Sequence, residues 1–346
     1  MKSRPAKPHI ESVKGGLKNT LLLAGTVGLC LLLAEVVFRQ FIDDGQLYEL
    51  EMWKYARDVK VRDLRPDVGH RHRPNREAQL MGVKVRTNAL GFRGPQIGET
   101  ATTGVVRIAF VGDSITLGWG VAEQETFAHQ VIDMLVRQGR KVEGFNLGIG
   151  NYNTPQELAL FLETGARLRP DIIVLSYFIN DAEPMPDYPV QNWLNMNSAA
   201  WIVLSYRFDS LLRRFGELPD WKKYYRDLYQ ADAQGWKETQ EAIKQFSSAA
   251  RELGTALIVF NIPELRELKP YPFADVTDKI RAVVEGEDVT FVDLLPAVEA
   301  LDPSSLWVTV PDPHPNGRAN AAFGRQIAKE ILPLVDRVCS KKVRVC

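Results

Sequence analysis

The chain is poor in the residues that build small stapled or metal-bound folds. Three cysteines in 346 residues cannot make a disulfide framework, and the five histidines show no zinc-ligand spacing. Lys and Arg balance Asp and Glu at 43 each, so no global field attracts nucleic acid, and there is no Arg-rich recognition helix. No internal repeat is present, which sets aside solenoids and propellers. What remains is 45% hydrophobic and 25% charged, an ordinary globular balance. The length suits one sizeable domain with accessory segments.

The amino terminus departs from that balance. Lys2, Arg4, Lys7, Lys14 and Lys18 stand against the single acid Glu11, and an apolar run from Thr20 to Phe38 follows, interrupted only by Glu35. As a helix this run would reach about 28 Å, close to the hydrocarbon thickness of a bilayer. Glu35 would reach the headgroups and Arg39 would anchor the interface. No Ala-x-Ala site follows the run, and Leu29 before Cys30 does not suit lipoprotein cleavage, so an uncleaved anchor is expected over its rival, a signal peptide. The positive-inside rule places residues 1–19 in the cytoplasm and the rest outside it, in the periplasm of a cell with two membranes. Cys339 and Cys346 would then lie in an oxidising compartment and are expected to pair.

Residues 39–104 read as a connecting segment packed on the main domain, with one short half-exposed strand where Val83 and Val85 alternate with Lys84 and Arg86. His70 and His72 have no companion carboxylate or cysteine nearby, so a structural or solvent-facing role is expected. From Val105 strands and helices alternate. Strands are expected at Ile108–Val111, Val142–Leu147, Asp171–Phe178, Thr255–Ile262 and Val289–Asp293, with helices at Phe127–Val136, Pro155–Leu168, Trp236–Leu253, Asp275–Val284, Pro296–Leu301 and Asn316–Leu332. Five strands in this rhythm predict a parallel sheet with helices on both faces, an α/β domain over 105–335 ahead of a tail at 336–346. An aromatic-rich stretch, about 182–235, breaks the rhythm and reads as a helical insertion above the strand ends, with Trp201–Leu204 able to lean on a membrane or a carbohydrate.

Ile108, Ala109, Phe110 and Val111 are followed at once by Gly112-Asp113-Ser114. Ser114 therefore sits at a strand's carboxyl end, where ligands bind in open α/β sheets. Alone, Asp113 and Ser114 would serve equally well as a helix cap. A serine needs a base, and of the two histidines in this domain His129 falls inside a helical pattern while His314 lies in a Pro-stiffened loop before the last helix. Asp312 can orient the His314 ring. An oxyanion would find donors at the backbone of Ser114 and Gly148 and at the side-chain amide of Asn180. No cofactor or metal is called for.

Gly112-Asp-Ser-Ile-Thr116, Asn146-Leu-Gly148, Asn180-Asp181 and Asp312-Pro-His314-Pro-Asn316 resemble, in order and spacing, the four blocks of the SGNH/GDSL esterase superfamily, and Asn88–Gly94 is similar to a segment preceding the domain in membrane-anchored bacterial members. The resemblance spans Val105 to about Leu332. It implies a flavodoxin-like three-layer sandwich, with Ser114 as nucleophile, His314 as base, Asp312 as its partner, and Ser114, Gly148 and Asn180 as the oxyanion hole. Two departures stand out. Phe178 occupies a position where the family usually has Gly, so a narrower or more apolar pocket is expected beside Asn180. Only Pro313 separates Asp312 from His314, where the family has two residues, so the loop must curl for the carboxylate to reach the ring. The expected activity is removal of acetyl or other short acyl groups from a polysaccharide or envelope glycan. An O-acyltransferase passing the acyl group to a glycan hydroxyl and a non-catalytic glycan-binding scaffold are the alternatives. The expected partners are an ester-bearing small molecule or acylated glycan and, through residues 20–38, a lipid bilayer. Nucleic acid is not expected.

Overall fold

The computed structural model describes residues 10–98, 102–185, 193–215 and 220–341. Ile10–Val37 forms one helix (α1), extended by a π turn, Phe38–Ile42. The segment Lys18–Ile42 is long and apolar enough to cross a membrane, and none of its most apolar stretch is buried in the protein. Helix α2 (Tyr48–Lys54) follows, then two antiparallel pairs, β1 (Lys60–Arg62) with β2 (His70–His72), and β3 (Glu77–Leu80) with β4 (Val83–Arg86). The sequence predicts one of these four strands. β1 and β2 are three residues long, below the length at which alternation becomes a pattern, and β3 offers only Ala78 and Leu80 as apolar positions. The β3–β4 turn, Met81-Gly82, holds both residues at positive φ, 49° and 74°, as a two-residue hairpin requires.

The main sheet consists of β5 (Val106–Val111), β6 (Val142–Asn146), β7 (Ile172–Phe178), β8 (Ala256–Ile262) and β9 (Thr290–Asp293), parallel throughout, in the order β6-β5-β7-β8-β9. This is the α/β sandwich expected. Strand residues alternate between two cores. Ile108, Phe110, Ile172, Val174, Ile258 and Phe260 face α4 (Phe127–Arg137) and α11 (Gly317–Lys341), whereas Ala109, Val111, Ile173, Leu175 and Val259 face α5 (Thr154–Leu160), α9 (Gln234–Leu253) and α10 (Ala274–Gly286). Burial on both faces explains why the central strands read as unbroken apolar runs.

Some helix ends differ from expectation. Asn153, not Thr154, caps α5, because its side chain accepts from the Gln156 N–H while Gln156 reaches back to the Asn153 N–H, a reciprocal pair. Beyond Leu160 the predicted helix becomes a π turn and then a 3-10 turn. The helix predicted near Pro296 is only a 3-10 turn, Leu295–Ala297. Helix α11 runs on through Pro333 to Lys341, into residues read as tail, because Leu334, Val335, Val338 and Cys339 still pack on the core. Cys346 lies outside the described residues, and with it the expected pairing to Cys339. The insertion contributes α6 (Trp193–Asn197), α7 (Ala199–Phe215) and α8 (Trp221–Leu228). Trp221, Tyr225 and Tyr229 join the main core rather than forming a separate one. Ahead of α11, two short strands pair antiparallel, β10 (Trp307–Thr309) and β11 (Asp312–Pro315).

Candidate active site

The sheet order reverses between β6 and β7 on either side of β5, and a crevice opens at the carboxyl ends of strands at such a switch point. Ser114 follows β5 and opens a one-turn helix, α3 (Ser114–Leu117), Gly148 follows β6, and Asn180 follows β7. Two glycines let the backbones approach this closely. A Cβ on Gly112 would stand 2.2 Å from Thr116 Oγ1 and 3.1 Å from the Ser176 carbonyl, and one on Gly148 would stand 2.2 Å from the Leu117 nitrogen. Neither position tolerates a side chain.

Opposite them, β11 carries Asp312 and His314. Ser114 Oγ lies 2.9 Å from His314 Nε2, and His314 Nδ1 lies 2.5 Å from Asp312 Oδ1. Residues i and i+2 of a strand point the same way, so the single intervening Pro313 does not keep carboxylate and ring apart. The His314 N–H also donates to Asp312 Oδ1, at 3.2 Å, which is the curl that the shortened spacing requires. A second residue fixes the carboxylate: Trp119 Nε1 donates to Asp312 Oδ2 at 2.9 Å. Burial alone would raise the Asp312 pKa, but the hydrogen bonds from His314 and Trp119 outweigh it and hold the carboxyl below its ordinary range.

Of the expected oxyanion donors, the Gly148 N–H is engaged. The Gly148 N–H donates to Asn146 Oδ1 at 3.0 Å, while Asn146 Nδ2 donates to the Thr116 carbonyl at 2.7 Å. The Asn180 amide hydrogen-bonds the side chain of Asp113, and its Oδ1 is buried without a partner. Asp113 itself is 1% exposed and accepts from the Ile115 N–H at 2.9 Å. Beneath it lie two more buried carboxyls, Glu157 and Asp181. Among the described residues neither Glu157 oxygen has a hydrogen-bond partner, and the Asp181 carboxyl accepts from the Phe178 N–H through one oxygen while the other has no partner. Burial, then mutual repulsion, raises the pKa of Glu157 and Asp181 well above the ordinary range. Burial also raises that of Asp113, against hydrogen bonds to Ile115, Ser114 and Asn180. Among the described residues no three His, Cys, Asp or Glu side chains converge as a metal-holding group.

The connecting segment is part of the site's frame, which sequence reasoning missed except for Asn88–Gly94. Arg93 is buried and donates to the Leu117, Gly118 and Val121 carbonyls at 2.9, 2.6 and 2.7 Å, tying down the end of the turn that carries Ser114. Burial lowers its pKa to about 10. Tyr55 accepts from the Gly150 N–H at 2.9 Å and packs edge-on against Trp119. His72 meets the Tyr55 hydroxyl at 2.6 Å and His70 the Gly150 carbonyl at 2.9 Å. Burial lowers both imidazoles to about 3, so they stay neutral and structural. The expected solvent-facing alternative is not what is found. His129 is exposed on α4.

A cavity of about 260 Å³ opens over His314 and Asn180, walled by Tyr48, Phe178, Tyr206 and Tyr225. Phe178 thus makes the wall beside Asn180 aromatic, as its replacement of glycine suggests. Tyr48 from α2 lies nearly parallel to the His314 ring, with centroids 6.4 Å apart.

No curated protein sequence matches this chain closely enough to be set beside it. Among solved structures, an acetylxylan esterase from Geobacillus stearothermophilus, crystallised as a catalytic mutant, is 16% identical over 65% of this chain and 94% of its own, with a TM-score of 0.44. A family 3 carbohydrate esterase from Clostridium thermocellum is 14% identical over 68% and 99%, with a TM-score of 0.42. A lipase/acylhydrolase from Enterococcus faecalis is 13% identical over 65% and 95%, with a TM-score of 0.41. The family model of the GDSL-like lipases and acylhydrolases matches residues 110–322, from β5 into α11 and across every block that carries Ser114, Gly148, Asn180, Asp312 and His314; the chain belongs to that family of ester hydrolases.

Proposed function

We propose that the chain is a membrane-anchored serine esterase that removes acetyl or other short acyl groups from a glycan outside the cytoplasm. The observation that carries this reading is the continuous line Asp312–His314–Ser114, with contacts of 2.5 and 2.9 Å. His314 Nε2 takes the Ser114 proton as Oγ attacks the ester carbonyl, while Nδ1–H donates to Asp312, which stabilises the imidazolium. The carbonyl oxygen becomes an oxyanion, received by the Ser114 backbone N–H and the Asn180 amide. The Gly148 N–H joins them by turning from Asn146 Oδ1. The tetrahedral intermediate collapses to an acyl-Ser114, and His314 returns the proton to the departing alcohol. Water, activated by the same imidazole, then releases the acid and restores Ser114.

The cavity volume fits a short acyl group better than a long chain, and its Tyr and Phe walls offer apolar faces to a sugar ring. Helix α1, with Lys14 and Lys18 at its amino-terminal end, serves as the anchor, amino terminus cytoplasmic. The test uses a serine-reactive fluorophosphonate and a short activated ester such as 4-nitrophenyl acetate. The wild-type chain is expected to be labelled at Ser114, and Ser114→Ala to abolish labelling and most turnover. His314→Ala should cost nearly as much, with the double variant no worse than either, because nucleophile and base act as one unit. Asn180→Ala should lose on the order of a hundredfold in kcat while keeping slow acylation. Full esterase activity in Ser114→Ala, with no labelling of the wild type, would overturn the reading.

A further inference from the structure

Helix α7 presents an apolar face that the described residues leave uncovered. Trp201, Leu204, Phe208, Leu211 and Leu212 are all exposed, Phe208 at 62%. At 3.6 residues per turn these positions fall within an arc of about 100°, the width of a single amphipathic stripe, with Arg207 and Asp209 just off it on either side. The short helix α6 before it adds Trp193, 73% exposed. The opposite side of α7 is occupied: Ala199, Ile202 and Val203 pack with Phe38, Leu50 and Trp53, and Tyr206 walls the cavity over His314. The stripe therefore does nothing for the folded domain itself.

Its position supplies the occupant. Glu35, near the end of α1, caps the start of α7: Oε1 accepts from the Ala199 N–H at 2.9 Å, and Oε2 from the Ala200 N–H at 3.1 Å and the Ser198 hydroxyl at 2.8 Å. Arg39 Nη2 donates to the Asn197 carbonyl at 2.6 Å, and Arg39 also pairs with Glu35. The sequence predicts that Glu35 would turn to lipid headgroups; it turns instead to backbone donors of α7. Four hydrogen bonds thus fasten the first turn of α7 to the end of a helix whose Leu and Val side chains from Leu21 to Val37 are turned outward. Two exposed apolar surfaces meet at one polar corner, and a single apolar phase covers both. A second copy of the chain would have to cover α1 and α7 together.

We propose that the α6–α7 face lies on the surface of the same bilayer that α1 crosses, with the stripe sunk into the headgroup and upper acyl region. This rests on the reading of α1 as a membrane helix. It makes the insertion a second membrane contact and sets the wall formed by Tyr206 at the bilayer surface, so the esters reached first are those carried by membrane-held molecules.

The test uses the full chain with Cys339→Ser and Cys346→Ser, reconstituted in phosphatidylethanolamine–phosphatidylglycerol vesicles. An environment-sensitive fluorophore is attached to the native Cys30 on α1 or, in a Cys30→Ser background, to Phe208→Cys on α7 or Lys329→Cys on α11. Nitroxide lipids spin-labelled near the headgroup or near the chain end then act as quenchers. The label at 208 should shift to the blue and be quenched most by the shallow nitroxide, that at 30 by the deep one, and that at 329 by neither. If 30 is quenched and 208 is not, α1 spans but the α7 face does not touch lipid, and the inference is overturned. A disulfide dimer through position 208 would then show that a second copy covers it. If neither 30 nor 208 is quenched, the anchor reading fails and this inference with it. Because Phe208 is 62% exposed from its own domain, its replacement should leave the unfolding temperature unchanged.

Discussion

Asp312 and Asp113 are each 1% exposed and each borders the Ser114–His314 pair, yet their surroundings drive them in opposite directions. Asp312 receives His314 Nδ1, the His314 N–H and the Trp119 indole, and is held ionised. Asp113 has the Ile115 N–H and, at 3.4 Å, the Ser114 hydroxyl, but these do not offset its burial, and its pKa rises. What differs is how far burial is offset: the partners around Asp312 outweigh it and those around Asp113 do not. One side of the serine thus holds a fixed negative charge for the imidazolium. The other holds carboxyls whose pKa values burial pushes up, which weakens the negative field they set against the developing oxyanion.

The comparison can be broken at its ionised end first. Asp312→Asn keeps the shape but removes the charge and favours the wrong imidazole tautomer, so kcat is expected to fall on the order of a thousand- to ten-thousandfold. Near-normal turnover would mean that another acceptor orients His314. Removing one donor is a finer cut. Trp119→Phe leaves Asp312 Oδ2 without its indole partner, and losing one hydrogen bond to a charged acceptor, about 1.5 kcal/mol, predicts roughly a tenfold loss in kcat. The acidic limb of the pH–rate profile should move upward, because the Asp312 pKa rises when a donor to its charged form is lost. An unchanged profile would show that the indole only fills space.

The protonated end should respond in stability rather than rate. An acid whose pKa is higher in the folded than in the unfolded state binds more protons when folded. Its contribution is therefore favourable below the unfolded value and is lost as pH rises toward the folded one. Glu157→Gln removes that loss. The variant should match wild type near pH 4 and exceed it increasingly above, by about 2 to 4 °C in Tm for each kcal/mol relieved in a domain of this size. kcat should stay within a few-fold. A pH-independent difference in Tm would show that Glu157 is not titrating with folding.

The parts of the site readable from sequence are those built on strand ends. Gly112-Asp113-Ser114 stops an apolar run, three short blocks follow strands at the carboxyl edge of one sheet and a fourth lies just ahead of the last helix, so Ser114, Gly148, Asn180, Asp312 and His314 could be named from their residue types and from the order in which the blocks resemble those of a family. Trp119 and Tyr48 carry no such signal, because their partners Asp312 and His314 are far along the chain and the contact exists only after the sheet has formed. Arg93 lay within a segment singled out by resemblance. Its task, holding three carbonyls at the end of the Ser114 turn, follows only from where the connecting segment comes to rest.

Local chemistry alone determined the alternation of strands and helices, the apolar amino-terminal run and the residue types that acyl transfer needs, because periodicity, turn residues and blocks within a few positions encode them. The tertiary structure decided what depends on distant neighbours. It set which buried carboxyls have donors, turned Glu35 to the start of α7 instead of to lipid, and left one face of α7 uncovered among the described residues. Protonation, capping and exposure are properties of what surrounds a side chain, and that is fixed only when segments remote in sequence meet.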